Sequence, residues 1–242
     1  MKFEDWEKWY STILDDFNFS KEMDENSAFV LNKILSESGS YSLDNLKEFV
    51  KNIVDNNNSF MVFGAGPSLK KHVKYLKDNY SKFNNYVIIA ADGATSGLVE
   101  EDIIPDIVVT DLDGKIDDLL IANDKGAFFV IHAHGNNLEF IAKHTETFKK
   151  VIGTTQSSSS GKLFNFGGFT DGDRAVFLAI ALGAKNICLG GMDFGKYVTN
   201  YSRPNLSRSV EIADKVKQKK LVYAEKLVKW ADDNNNVNIR FM

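Results

Sequence analysis

Apolar residues follow two different spacings, one in the first 58 residues of the chain and one after them. In the first part they recur every three or four positions, as at Trp6 and Trp9, which is typical of amphipathic helices. The spacing predicts a helix ending near Phe17, a second helix over Glu25–Ser36, and a third that opens with a capping sequence at Ser42. We therefore expect a small helical region over residues 1–58, whose aromatic stripe forms core or, through an exposed Trp6 or Trp9, the surface of a homodimer.

After residue 58, short continuous apolar runs alternate with longer amphipathic stretches. Continuous runs are typical of parallel strands that helices cover on both faces. The predicted strands are Phe60–Phe63, Tyr86–Ala91, Ile107–Thr110, Ala127–His132, Val151–Gly153, Ile187–Leu189 and Val237–Phe241. The predicted helices are Leu69–Asn79, Lys115–Asn123, Asn137–Thr145, Arg174–Leu182 and Ser209–Asp232. This alternation predicts an α/β domain over residues 59–242 with a mostly parallel, doubly wound sheet.

Gly, Asp, His and Thr residues are concentrated in the segments that follow the predicted strands. These segments are Gly64–Ser68, Asp92–Thr95, Asp111–Gly114, His132–Asn137, Gly153–Gln156 and Gly190–Asp193. In open α/β sheets, ligands bind outside the carboxyl ends of the strands. The segments therefore predict one ligand site along that edge of the sheet.

Two carboxylates, Asp111 and Asp113, stand two positions apart just after the predicted strand Ile107–Thr110. In extended backbone they point the same way, and two like charges about 4 Å apart repel by roughly 4 kcal/mol at a dielectric near 20. Such a pair requires a cation, and oxygen ligands without thiols favour Mg²⁺. Asp92, after the preceding strand, is the expected third ligand, although an aspartate before glycine is also a common turn residue.

The segment Gly64–Ser68 joins a predicted strand to a predicted helix. Gly64 and Gly66 permit a tight turn, and Pro67 suits the first helical position. The free N–H groups there, together with Ser68, attract an anion such as phosphate. The segment has neither the third glycine of a dinucleotide fingerprint nor the Gly-Lys-Ser/Thr ending of a P-loop. A phosphate contact and an ordinary strand-to-helix turn are both compatible with it.

Further candidate contacts follow the later strands. His132 and His134 are expected to hydrogen bond to phosphate or base, since no companion His or Cys with zinc-ligand spacing accompanies them. Thr154 lies in the next such segment. Lys162 follows a run of serines, from which it is expected to reach a polyphosphate unless the run is a plain linker.

The segment from Phe166 to Arg174 precedes an apolar helix that Thr170 or Asp171 is expected to cap. Arg174 would lie in the first turn, where a cation is unfavourable for the helix dipole. Its position is easier to explain if it faces a phosphate or a carboxylate. Asp171, Asp173 and Arg174 are therefore candidate catalytic residues.

Charge and hydropathy narrow the class of protein. The net charge of −4 and the pI of about 5.6 argue against a general nucleic-acid binder, which carries a basic face. No apolar run approaches the ~20 residues that span a bilayer, and the charged N-terminus has no signal-peptide pattern. We expect a cytoplasmic protein without a membrane or nucleic-acid partner.

Six of the segments, in the order of the chain, resemble the archaeal-type 6-hydroxymethyl-7,8-dihydropterin pyrophosphokinases. They are Gly64–Leu69, Ala91–Ala94, Pro105–Gly114, His132–Gly135, Gly153–Gln156 and Phe166–Ala175. The related thiamin pyrophosphokinases have Asp-Gly and Gly-Asp-x-Asp-Ser segments. Thr110 and Gly114 replace the Gly and Ser of that second pattern, which favours the pterin family.

The resemblance implies a thiamin-pyrophosphokinase-like fold and the transfer of a diphosphate from ATP to the hydroxymethyl group of a dihydropterin, with release of AMP. It implies that Asp111 and Asp113, with Asp92, hold Mg²⁺ on the phosphates. It also implies that Asp171 or Asp173 orients the hydroxyl or the metal.

For the remaining contacts, the resemblance implies that the Gly64–Ser68 turn and Lys162 or Arg174 bind phosphate oxygens. Phe166 and Phe169 are candidates for stacking on the pterin. The alternatives are a thiamin pyrophosphokinase, a glycosyltransferase-like relative that uses a nucleotide-activated sugar, and a nucleotide-binding module without turnover. The downstream pathway, folate or tetrahydromethanopterin, stays open.

Overall fold

The computed structural model describes residues 1–39 and 41–242. The α-helices are α1 Phe3–Phe17, α2 Lys21–Glu37, α3 Leu43–Lys51, α4 Leu69–Asp78, α5 Ala94–Val99, α6 Ile116–Asp124, α7 Leu138–His144, α8 Asp171–Ala181 and α9 Lys215–Asn234. The strands are β1 Ser59–Phe63, β2 Tyr86–Ala91, β3 Ile107–Thr110, β4 Phe128–Ala133, β5 Val151–Thr155, β6 Leu163–Phe164, β7 Asn186–Gly190, β8 Tyr197–Thr199, β9 Val210–Ile212 and β10 Asn238–Phe241. Short 3-10 helices cover Tyr80–Phe83 and Thr145–Thr147.

Eight strands form one parallel sheet in the order β10-β7-β1-β2-β3-β4-β5-β6. In its register, Val62 of β1 lies between Ile89 of β2 and Leu189 of β7. The chain runs outward from β1 to β6 and then returns to the other side of β1, so the strand order reverses between β1 and β7. The predicted doubly wound α/β fold is confirmed, and the reversal creates a crevice of the kind where ligands bind in such sheets.

Both faces of the sheet are buried, which explains the continuous apolar runs. On one face, Phe60 and Val62 pack with residues of α8 and α9. On the other face, Met61 and Phe63 pack with Leu69 of α4 and with α5. The helices therefore cover the sheet with apolar stripes, and among the described residues none is long and apolar enough to cross a membrane.

The N-terminal helices pack into the same core. Trp6 of α1 and Leu46 of α3 are buried in the cluster that contains Phe60. Trp6 is only 1% exposed, and its Nε1–H donates to the backbone oxygen of Gln156 at 2.7 Å. The expectation of an exposed Trp6 is therefore wrong, because this indole is buried and links the N-terminal helices to the core of the sheet. The homodimer and the boundary at residue 58 stay predictions.

The end of the chain differs from the predicted elements. The helix expected over Ser209–Asp232 begins only at Lys215, because the Asp214 carboxylate accepts from the backbone N–H of Lys217 at 2.8 Å and caps the helix there. The preceding residues form β9, which pairs with β8 in an antiparallel hairpin. This hairpin, α5 and the edge strand β6 are too short for a periodic apolar pattern to predict them.

Candidate active site: an acidic cavity at the carboxyl edge of the sheet

The carboxyl edge of the sheet opens into a cavity of about 560 Å³. Its walls come from the loops that follow the strands, from the turn between α1 and α2, and from the first turns of α8 and α9. The lining includes Asn18, Phe19, Met23, Asp24, Gly64, Gly66, Pro67, Asp92, Asp111, Asp113, His134, Gln156, Asp171, Arg174, Asp193, Lys217 and Lys220. The predicted edge of the sheet is thus the place where most of the candidate residues meet.

The structure brings together the carboxylates of Asp92, Asp111 and Asp113. Each offers an oxygen, and these oxygens all lie within 4.8 Å of one another. At Mg–O distances of about 2.1 Å, octahedral ligands are about 3.0 Å apart when adjacent and about 4.2 Å apart when opposite. The spacing is close to this range, and the hard oxygen donors and negative charge of the cluster suit a divalent cation.

Two residues with left-handed backbone shape this cluster. Asp92 has φ 40° and Leu112 has φ 68°, a conformation that costs about 1 kcal/mol or more outside glycine. Thr110 stabilises both turns, because its Oγ1 donates to Asp92 Oδ1 at 2.6 Å and accepts from the N–H of Leu112 at 2.8 Å. The Leu112 side chain is completely buried, while Asp111 and Asp113 on either side of it line the cavity.

The glycines after Asp92 and Asp113 are needed for close packing, not only for turning. A Cβ at Gly114 would lie 2.4 Å from Asp92 Oδ2. A Cβ at Gly93 would lie 1.8 Å from the backbone oxygen of Tyr201. The glycines allow the two loops to approach closely. The interpretation of these aspartates as ordinary turn residues does not explain this close approach.

The packed carboxylates shift one another's pKa. Burial and then the charge of Asp111 raise the pKa of Asp92 to about 6. Desolvation by the cavity walls and the charges of Asp111 and Asp92 raise the pKa of Asp113 to about 8. Burial acts the same way on Asp111, but the hydrogen bond and charge of His134 outweigh it and bring that pKa below its usual range. A cation bound here would displace protons from the cluster.

His134 holds Asp111 in place. Its Nε2 lies 2.9 Å from Asp111 Oδ2. The amide of Asn137 donates to the backbone oxygens of Asp111 at 2.9 Å and His132 at 2.6 Å, and its Oδ1 accepts from the N–H of His134 at 3.0 Å. His134 therefore orients a candidate metal ligand, as outer-shell residues do in metal sites, whereas the sequence suggested contact with phosphate or base.

The two remaining aspartates, Asp171 and Asp173, both lie in the first turn of α8 but have different surroundings. Asp171 lines the cavity. Asp173 is fully buried and accepts hydrogen bonds from the backbone N–H of Phe169 at 2.5 Å and of Thr170 at 2.8 Å, and from the Thr170 hydroxyl. Asp173 is thus part of the helix cap, and the structure does not bring it to the cavity.

Arg174 is buried but lines the cavity with part of its surface. Its guanidinium donates to the backbone oxygens of Gly168 and Phe169 and to Gln156 Oε1, each at 2.8 Å. Gln156 Nε2 in turn donates to Asp24 Oδ2 at 2.8 Å. The oddly placed arginine is therefore explained by carbonyl acceptors and a nearby buried carboxylate.

The Gly64–Ser68 turn reaches the cavity with Gly64, Gly66 and Pro67. Its helix terminus already holds a carboxylate, because Asp193 Oδ2 accepts from both the N–H and the hydroxyl of Ser68 at 3.0 Å. A phosphate at that terminus would meet the negative charge of Asp193. The turn therefore shapes the cavity wall, and the N-terminus of α4 is less suited to an anion than its sequence suggested.

The other candidates lie away from the cavity. His132 is buried in the sheet, with Nδ1 3.0 Å from Thr154 Oγ1, and burial followed by the charge of Arg174 lowers its pKa well below the usual value. Lys162 is exposed and donates its backbone N–H to Asn32 Oδ1 at 2.7 Å. Phe166 stacks on Phe164 at a ring separation of 5.8 Å. Of the two phenylalanines expected near the pterin, only Phe169 lines the cavity.

Sequence reasoning missed the cationic residues of the cavity, Lys217 and Lys220, and the wall made by Phe19 and Met23. All four lie in helices or turns that are far along the chain from the strand ends. In such helices and turns, lysines are ordinary surface residues and apolar residues are ordinary core residues. The available signal for these cations was the pair of lysines three positions apart near the start of α9.

The fold and the cavity define an α/β protein with a ligand site at the carboxyl edge of a parallel sheet. The chain belongs to the family described as 6-hydroxymethylpterin diphosphokinase MptE-like, whose sequence model matches residues 32–199. It is 48% identical to the 6-hydroxymethyl-7,8-dihydropterin pyrophosphokinase of Methanothermobacter thermautotrophicus over 239 residues, 99% of each chain. The protein of the same name from Methanocaldococcus jannaschii is 43% identical over 100% of both chains. The one from Pyrococcus furiosus is also 43% identical, over 99% of this chain and 98% of its own.

Proposed function

We propose that this enzyme transfers the β,γ-diphosphate of ATP to the hydroxymethyl group of 6-hydroxymethyl-7,8-dihydropterin and releases AMP. The relatives that carry this name align with the chain over nearly its whole length. The observation that carries the proposal is the cluster of Asp92, Asp111 and Asp113 in one cavity with Asp171 and two lysines. This combination provides for both the metal and the anionic phosphates of ATP.

Asp92, Asp111 and Asp113 are the residues that would hold Mg²⁺. When bound, Mg²⁺ would neutralise phosphate oxygens and stabilise the charge that develops as AMP leaves. His134 and Thr110 keep these carboxylates in position through the bonds to Asp111 and Asp92. We therefore expect activity to fall when a neutral residue replaces any of the three aspartates.

Asp171 is the group that we expect to receive the proton of the acceptor hydroxyl. It lines the cavity, and burial followed by the charges of Asp111 and Asp92 raises its pKa well above the usual value. A carboxylate whose pKa is raised toward the working pH is a stronger base in its ionised form. The hydroxyl oxygen then forms a bond to the β-phosphorus, the bond from that phosphorus to the α–β bridging oxygen breaks, and AMP departs with that electron pair.

The test is a comparison of acceptors. The protein is incubated with ATP, Mg²⁺ and either 6-hydroxymethyl-7,8-dihydropterin or thiamin, and AMP and the diphosphorylated acceptor are measured by chromatography. We expect AMP in equal amount to pterin diphosphate, and its loss when EDTA removes the metal. AMP formation with thiamin alone would support the thiamin enzyme. No AMP with either acceptor would overturn the proposal and favour the nucleotide-sugar or binding alternatives.

A further inference from the structure

The first turns of α9 place two lysines in the cavity that contains the acidic cluster. Lys217 and Lys220 both line the cavity, and residues three positions apart share one face of a helix. The carboxylates of the cluster and Asp171 line the same cavity. Cationic and anionic side chains therefore meet in one cavity.

Neither lysine is used in a structural ion pair. Between them in sequence, Lys219 points elsewhere and forms a salt bridge with Asp16 at 3.2 Å. Over the described parts of the chain, Lys217 and Lys220 form no salt bridge within 4.0 Å. Two half-buried cations without a carboxylate partner, in the cavity of about 560 Å³ at the edge of the sheet, are placed to receive an anion.

Two aromatic rings hold Lys220 in place. Its Nζ lies 5.4 Å from the ring centroid of Phe19 and 5.6 Å from that of Phe169, and the two rings are 6.5 Å apart. Cation–π contacts of this kind orient an ammonium group without neutralising its charge. Phe19 follows Asn18, whose left-handed backbone (φ 53°) ends α1. The N-terminal region thereby positions a cation that α9 contributes to the cavity.

We propose that Lys217 and Lys220 bind the β and γ phosphates of ATP on the side of the cavity opposite the aspartate cluster, and that Phe19 is a positioning residue for Lys220. This inference rests on the proposed function. In the transfer, the two ammonium groups donate hydrogen bonds to the non-bridging oxygens of the diphosphate while its bond to the acceptor oxygen forms and its bond to AMP breaks. On sequence alone, this phosphate-binding role falls to Lys162 or Arg174.

Methionine substitutions test the charges, because methionine keeps an unbranched side chain of similar length but has no ammonium group. We expect Lys217→Met and Lys220→Met each to raise the Kd of inorganic diphosphate, measured calorimetrically with Mg²⁺ present, about tenfold or more, as loss of a charge-assisted hydrogen bond predicts. The matched control is Lys215→Met. Lys215 begins the same helix, carries the same charge, is exposed and lies outside the cavity lining, so its Kd should stay within about twofold of wild type.

Kinetics separate the lysine site from the overall function. With the dihydropterin as acceptor, the two lysine variants should raise the KM for ATP or lower kcat, with the KM for the acceptor unchanged. If wild type forms AMP while both variants bind diphosphate as wild type does, the lysine proposal fails and the function stands. If diphosphate binding depends on the lysines while no acceptor yields AMP, the function fails and the polyphosphate site stands.

Phe19 has its own test. Phe19→Leu removes the aromatic face but keeps an apolar side chain, whereas Phe19→Tyr keeps the ring. We expect the leucine variant to weaken diphosphate binding about threefold and the tyrosine variant to leave it unchanged, in line with a partly exposed cation–π contact. In a Lys220→Met background, Phe19→Leu should have no further effect on this Kd. An equal effect of Phe19→Leu in both backgrounds would show that Phe19 does not act through Lys220.

Discussion

The chain contains two Asp-x-Asp sequences, Asp111-Leu-Asp113 and Asp171-Gly-Asp173, and the fold uses them differently. In the first, both carboxylates face the cavity, and their oxygens lie within 4.8 Å of one another and of Asp92. In the second, Asp171 faces the cavity, while Asp173 is buried and accepts hydrogen bonds from the backbone at the start of α8.

The difference follows from backbone geometry. Asp111 and Asp113 follow the end of β3 at Thr110, and the left-handed backbone of Leu112 between them (φ 68°) forms a turn in place of the expected extended backbone, whereas on a helix side chains two positions apart diverge by about 200°. Leu112 turns into the core between Asp111 and Asp113, so both carboxylates are left at the cavity. Asp171 and Asp173 occupy the first and third positions of α8 and therefore point to opposite sides. The same spacing thus produces a candidate metal pair in one place and one candidate base plus one helix cap in the other.

The largest expected effect is on the first pair. Asp111→Asn keeps the shape and can still hydrogen bond to His134, but it removes a charge that would hold Mg²⁺. We expect AMP formation at saturating substrates to fall about 10³-fold, or about 4 kcal/mol in the barrier. Thermal unfolding without Mg²⁺ is the control, and the variant should still unfold in one cooperative transition well above the assay temperature. A rate within tenfold of wild type would remove Asp111 from the metal site.

Asp171→Asn tests the cavity-facing member of the second pair. Loss of a general base predicts about a 10²-fold lower kcat. Since the folded-state pKa of Asp171 is raised, its contribution to stability is most favourable below the unfolded pKa near 4 and is lost as pH rises. The free energy of unfolding of Asp171→Asn without Mg²⁺ should therefore decline less between pH 5 and 8 than that of wild type. An unchanged kcat would exclude Asp171 as the base.

Asp173→Ala should affect stability instead of catalysis. It leaves the N–H groups of Phe169 and Thr170 without their acceptor, which costs about 2–3 kcal/mol in the free energy of unfolding measured with urea. The variant that folds should keep kcat within about twofold at a temperature well below its Tm. Asp173→Asn retains one acceptor oxygen and should lose less stability. A large loss of kcat in a folded Asp173→Ala protein would contradict the assignment of Asp173 to the cap.

The smallest effect concerns Asp106, at the opposite end of β3 from Asp111. Its Oδ2 accepts from the N–H of Ile88 at 2.8 Å, and burial raises its pKa to about 6. A raised pKa means that stability from this group falls as pH rises from about 4 to about 6. Asp106→Asn keeps the acceptor, so it should be more stable than wild type by about 1–2 kcal/mol at pH 8 and equal near pH 4, with AMP formation unchanged. Equal stability at both pH values would show that the Asp106 carboxylate is not desolvated.

Much of this protein is already determined by its sequence alone. Apolar periodicity and turn residues act over a few positions, so the seven predicted strands, their parallel direction and the polar edge of the sheet follow from local patterns. The carboxylate pair Asp111 and Asp113 was predictable for the same reason, because it follows its strand directly. The glycines beside Asp92 and Asp113 are also visible in the sequence, although the reason for them is a contact between loops.

Only the tertiary structure decided which residues complete the cavity. Lys217 and Lys220 come from a helix about 100 positions after the aspartates, and Phe19 from a turn that precedes them by a similar distance. Asp193 reaches Ser68 across 125 positions. Such contacts depend on how α1 and α9 pack over the sheet, and the burial that drives this packing is non-directional and leaves no local pattern. The local sequence of Asp173 suits catalysis and that of Lys162 suits phosphate binding, and only the packed chain shows that neither residue lines the cavity.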